Sequence, residues 1–533
     1  VDAYVETHQA DAVTSITSRT GVSDLDFKTP QGQVDVVAMG AVAMAQQASE
    51  VPEAMAPKSI SVTAFGAVAA SSLLAHESLD LTALSNDSGP ATIAVLDART
   101  LGAEADINLF AMDAIVGQYA ATGDLSATSL QDITGSYTAE GGDALLIAGV
   151  SVTDNTDVSA GGYAIVVAAG IGEAGAIHAS IDADNDAILL ANGDITGLAN
   201  AGVNASVTSL KGKVDSAVTA ATGNADVFAK THVLKNVTAG VDVSVIATDA
   251  VDGHVTADGS AYITVLGSDG GGTGALSGMV TAELDVSVFA VNVASGAQIT
   301  AVTGDASVAV EATLSGPVTA GGSATVSAIG PITGDITAGE GDGDGDVTVS
   351  TIGDLVGAVS AGGGDADVLV GGNLLGPVTA DRRIEAMVQG DQSGVLTAGL
   401  GADVLIRSDA NAAMTFGTAE GADDEITDIS VLGLLAGNVT TERGHLTLTV
   451  AGELTGTLDV AGDASITALA QVTNEMTIGG FGSLFALGAV SQSQIIAGSF
   501  GLTGANAVTD ISVTAVDDVV VSAVAQVVQG VAR

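Results

Sequence analysis

Gly316-Pro317-Val318-Thr319-Ala320 has two near-copies in the chain, Gly334-Asp335-Ile336-Thr337-Ala338 and Gly376-Pro377-Val378-Thr379-Ala380. Each reads Gly, any residue, a β-branched apolar residue, then Thr-Ala. The apolar position recurs at Ile195, Val218, Val237, Val255, Val280, Ile299, Val318, Ile336, Val359, Val378 and Leu396. It continues more loosely through Phe416, Val439, Leu458 and Met476, and backward through Ile177, Val158, Tyr137 and Tyr119. The intervals run from 18 to 25 residues and are mostly 18 or 19. A fixed period of this size is the signature of a repeat architecture, in which each unit buries its apolar face only against its neighbours.

Within one repeat, Ser323-Ala324-Thr325-Val326-Ser327-Ala328-Ile329 alternates small polar with apolar residues at period two, as a half-buried strand does. Gly-rich turns bound it, and no stretch keeps a helical period. Two or three short strands per 18–20 residues, with a turn at each corner, predict an all-β fold: a parallel β-helix, or β-solenoid, with occasional loop insertions. Coils stacked about 4.8 Å apart would build a rod roughly 100 Å long. A β-sandwich array would want domains of about 100 residues and many more aromatics.

Composition agrees with a thin, regular core. Among 533 residues there are 70 Gly, 9 Phe, 5 Tyr, no Trp and no Cys, so Ala, Val, Ile and Leu must fill the interior. A mean hydropathy of +0.48 is too high for a disordered acidic segment. Thirteen Lys and Arg against 63 Asp and Glu give a net charge of −50. That field disfavours nucleic acid and anionic membrane surfaces as partners. No apolar run approaches the ~18 residues of a membrane span. Without Cys there are no disulfides and no thiolate sites. The chain opens Val1-Asp2-Ala3 with no basic-then-apolar leader, as a processed chain or a piece of a longer one would.

An acid or amide often follows the marker by five to seven residues, at Asp124, Asp143, Asn224, Asp242, Asp305, Asp365, Asp403 and Asp463. Asp and Asn bond their own backbone in turns, so the corner itself accounts for them. The longer repeats carry extra residues. One insertion is Gly267–Gly272; another holds Glu340, Asp342, Asp344 and Asp346; a third holds Glu420, Asp423, Asp424, Glu425 and Asp428. Alternating Asp and Gly brings several oxygens within reach of one hard cation, so Glu340, Asp342, Asp344, Asp346, Asp423 and Asp424 are the candidate Ca²⁺ ligands. The first cluster resembles the Gly/Asp nonapeptide of calcium-binding β-rolls, although the nonapeptide does not recur turn after turn.

Enzyme signatures are weak. Gly170-Ile171-Gly172-Glu173-Ala174-Gly175 matches a dinucleotide fingerprint, but the short apolar stretch after it falls on the repeat marker at Ile177, where the fingerprint needs a helix. Arg382-Arg383 reads as local charge balance. The six His are dispersed, and neither a G-x-S-x-G elbow nor a P-loop occurs. The sequons at Asn86, Asn204, Asn236 and Asn438 are what this Asn and Thr frequency produces by chance.

The chain divides into a polar arm at 1–33, the repeats at 34–509 and a strand-forming tail at 510–533. From Met476 to Thr509 there is no charged residue. The runs Gly316–Ala320 and Gly321–Val326 resemble the large repetitive secreted surface and matrix proteins of bacteria, long parallel β-solenoids that serve as adhesins, surface layers or fibres. The acidity with few Lys also resembles salt-adapted proteins. The resemblance implies a non-enzymatic structural subunit, extracellular or at the cell surface. An open β-helix ends in exposed strand edges, so the tail or the N-terminal arm is expected to add as a strand to the next copy, giving head-to-tail assembly with copies of itself. The alternative is an adhesin or stalk binding cell-surface glycans. A polysaccharide lyase or hydrolase on the same fold ranks last, because it would need clustered Asp and Arg in a groove.

Overall fold

The computed structural model describes residues 2–6, 13–28, 32–44, 56–85, 89–170, 175–267, 273–339, 345–491, 494–505, 507–509, 512–515 and 519–522. The chain forms two compact units, Val1–Gly272 and Thr273–Arg533. Each is a parallel β-solenoid, with about 24 coils in all and no helix among the described residues.

In the second unit a regular coil spends its 18 residues on three inward stretches. Leu314 makes an isolated bridge, Val318–Ala320 is a three-residue strand, and Ala324–Ala328 is a five-residue strand. Each pairs in parallel with its equivalent in the next coil: Leu314 with Ile332, Val318 with Ile336, and, across the first insertion, Val326 with Val349. Ala324–Ala328 alternates buried and exposed, which follows from the period of two. The interior is therefore stacked columns of like residues. Leu314, Val318, Ala320 and Val326 are each at most 1% exposed.

The first unit makes two of these stretches from one longer strand. Ile115–Ala121 pairs residue for residue with Ile133–Ala139, and Gly117 lies opposite Gly135. Both glycines have positive φ (152° and 129°), and a Cβ on Gly117 would overlap the Val95 carbonyl. The bend admits the two largest side chains of the core. Tyr119 and Tyr137 stack with centroids 5.3 Å apart, and each hydroxyl donates to a carbonyl three residues back, Val116 or Thr134, at 3.2 Å. Later in this unit Val214–Ala220 pairs with both His232–Val233 and Val237–Ala239, where the single strand separates into bridge and short strand.

Column breaks are compensated within a coil. Ala410 stands in a column whose other members are larger, chiefly Leu, Val and Ile, while Phe416 of the same coil takes the place of Ala398 and its predecessors. Both are fully buried, so the volume lost at one position is returned at the other. Gln392, directly below Ala410, is also fully buried, and its Oε1 has no hydrogen-bond partner.

Strand pairing runs on through both flanks of the repeats. Val13–Ser18 pairs with Gln33–Ala38, and Asp2–Glu6 with Val22–Lys28, so the polar stretch 1–33 contributes strands to the ladder. At the other end Val519–Ser522 pairs in parallel with Phe500–Thr503 of its own chain.

Candidate functional site

The acids and amides of the repeat are organised by the corners. Asp106, Asp124 and Asp143 follow one another up the first corner column. Asp106 Oδ1 accepts the backbone N–H of Asp124, Asp124 Oδ1 that of Asp143, and Asp143 Oδ1 that of Tyr163, at 2.8–2.9 Å. Asp186, Asn204, Asn224 and Asp242 continue the same relation to Ser260. In the second unit it links Asp285, Asp305 and Ser323, and again Asp346, Asp365 and Arg383. A second corner carries Asp354, Asn373, Asp391, Asp409 and Leu434, and a third carries Asn236 with His254 and Asn438 with Thr457.

The side chains therefore reach one coil onward, where the turn chemistry of an Asx residue would have served its own coil. A corner turns the backbone out of the ladder and leaves an N–H that needs an acceptor. A short carboxylate or amide from the coil below supplies it. The preceding glycine completes the device: a Cβ on Gly322 would fall on Asp305 Oδ1, and one on Gly142 on Asp124 Oδ1. The recurring Gly-Asp pair thus copies itself from coil to coil. Ser408 stands in the glycine place and adds its own hydroxyl as a second donor to Asp391, which with the Asp409 N–H holds that carboxyl below its ordinary range.

Asp403 departs from this scheme. Gly401 holds the corner place, its carbonyl accepting the Ile384 N–H of the preceding coil at 3.4 Å, and Asp403 lies inside Ala402–Ile406 facing out, in register between Glu385 and Asp428. With Asp367 opposite Glu385, four acids form one outward column on consecutive coils. Burial first, and then the Asp403 charge, raises the Asp428 carboxyl. The sequence reading missed this column. Its signal is an acid at one outward place of successive strands, second in Ile384–Val388 and Ala402–Ile406 and deeper in the longer Gly363–Val370 and Ile426–Val431, a place held by Ser307 and Thr325 in earlier coils.

Of the candidate calcium ligands, Glu340, Asp342 and Asp344 lie outside the described residues, and Asp346 serves as a corner acceptor for Asp365. Asp423 lies 4.0 Å from Arg443 Nη1, while its neighbour Glu425 takes Arg383 Nη1 at 2.7 Å. Asp424 is exposed. Among the described residues no group of three or more His, Asp or Glu is arranged to hold a metal ion. Arg382 faces Asp365 at 3.7 Å, so the basic pair is spent on local charge balance, through Asp365 and Glu425. Residues 171–174 of the dinucleotide-like motif lie outside the described residues, and the strand Ile177–Ala183 stands where a helix would be required. Among the described residues no helix is long and apolar enough to cross a membrane.

No protein-family model, curated protein or solved structure matches the chain.

Proposed function

We propose that this chain is a structural subunit of an extracellular fibre, surface layer or matrix of a bacterium or salt-adapted prokaryote. The observation carrying this reading is the corner device: aspartates and asparagines at the corners are, coil after coil, acceptors that tie one coil to the next. Such a chain spends its polar chemistry on persistence of the stack. Its remaining surface charge suits saline surroundings, where screening shortens repulsion to a Debye length of about 3 Å at 1 M salt. Assembly is between copies, head to tail. A parallel ladder grows by adding strands in the same register, and a second copy can continue it without closing a ring. Calcium bound in the 340–346 stretch belongs to the same proposal, because a divalent cation would offset the four acids there.

Sedimentation of the purified chain through a salt and calcium series tests the reading. Species larger than the monomer should appear as NaCl approaches 1 M or calcium reaches millimolar, and EDTA should reverse the calcium effect. A single monomeric boundary under every condition would remove the proposal.

A further inference from the structure

One corner of the second unit uses a different acceptor. His445 sits in the column that Asp346, Asp365 and Asp463 occupy elsewhere, and its Nδ1 accepts the Asp463 N–H at 3.0 Å. Gly462 leaves room for it as the other corner glycines do for carboxylate oxygens: a Cβ there would lie 2.9 Å from Nδ1. An Asp or Asn in this slot keeps its acceptor over the whole neutral and mildly acid range. An imidazole does not, because protonation occupies the one lone pair that the Asp463 N–H uses.

We infer that His445 is a pH-sensitive corner, which latches coil 445–463 to the next when neutral and releases the Asp463 amide when protonated. The neutral form in this geometry carries its proton on Nε2. In the protonated form Nδ1–H points at an N–H, and two donors face each other. The other partner within reach is the Asp463 carboxylate, whose Oδ2 already lies 4.0 Å from Nδ1. The imidazolium then trades a backbone bond between coils for a side-chain ion pair. Of the other charges nearby, Glu425 of the coil below holds Arg383 and gives its carbonyl to the His445 N–H, Arg443 faces Asp423, and Glu442, three residues before His445, is exposed. Ile426, the residue in register with His445 on that strand, carries no charge. Acid therefore acts at this corner through His445 and Asp463.

Hydrogen exchange on the intact chain reads the latch directly. Protection of the Asp463 amide, corrected for intrinsic exchange, should fall about tenfold as the pH drops through the range in which imidazoles ionise. The amides of Asp143 and Ser323, which rest on carboxylates, should not change over that range. His445→Asn keeps an acceptor that does not titrate and should hold Asp463 protected at both ends of the range. Unchanged Asp463 protection in the wild type would overturn the inference, as would the same loss in the Asn variant. If His445→Asn proves unstable, His445→Asp supplies the same comparison.

Discussion

Asp124 Oδ1 accepts the backbone N–H of Asp143 at 2.9 Å, and Asp143 Oδ1 passes the same bond on to Tyr163. A carboxylate that reads as surface charge is thus a structural bond between coils. What the corner needs is an acceptor oxygen of this length, and the charge is incidental to it, since Asn224, Asn373 and Asn438 do the same work.

The corner bonds should depend on the oxygen and not on the charge. Asp305→Ala removes the acceptor for Ser323, and amide exchange at Ser323 should speed up about tenfold. Asp305→Asn should leave it within about twofold of wild type. Equal losses in both variants would show that charge, not geometry, holds the corner.

The outward column Asp367–Glu385–Asp403–Asp428 sets like charges on adjacent strands, which is destabilising. Because the Asp428 carboxyl is raised in the folded chain, its contribution is fully present below the ordinary carboxylate range and is lost as the pH rises through its folded value. Asp403→Asn should therefore increase protection of the 404–431 amides at neutral pH, with the gain shrinking in 1 M salt. Lower protection in the variant would contradict this.

Gln392 interrupts an otherwise apolar column, between Leu374 and Ala410, with a buried oxygen that has no partner. Gln392→Leu gives up the Nε2 bond to the Gly394 carbonyl but removes that orphan oxygen and restores the column. Stability should rise by about 1 kcal/mol. Calorimetry showing a lower melting temperature would mean that the oxygen is satisfied in solution.

Tyr119 and Tyr137 both have phenols raised above 10.0, by burial first and for Tyr137 also by its neighbour Tyr119. A group raised in the folded state stabilises fully below its unfolded value and loses that contribution as the pH climbs through the folded one. Ultraviolet titration should show part of the tyrosinate signal appearing only together with loss of β-sheet circular dichroism. The double variant Tyr119→Phe, Tyr137→Phe should abolish that late part; a late signal that survives would place the phenols elsewhere.

The alternation of Ala324–Ala328 and the spacing from Val318 to Ile336 made the solenoid legible, because in a stacked fold the period of the sequence is the period of the structure. The corner acids were legible as positions but not as bonds: turn propensity explains Asp124 locally, whereas its partner lies a full coil away. Asp403 misled because a window of five to seven residues after the marker reaches past the corner: Gly401, five after Leu396, holds the corner place, and Asp403, seven after it, already lies inside the strand. The latch at His445 carried no signal of its own. A lone His in a sequence of dispersed His acquires meaning only when the register sets it above Ile426 and below Asp463, in a corner column that Asp346 and Asp365 share.

The assembly of the chain is the central claim, and negative-stain microscopy of the purified protein at low and molar salt examines it most directly. The account predicts isolated particles in dilute buffer and filaments or sheets of solenoids in molar salt, lengthened by calcium. Isolated particles at every salt and calcium concentration would contradict it.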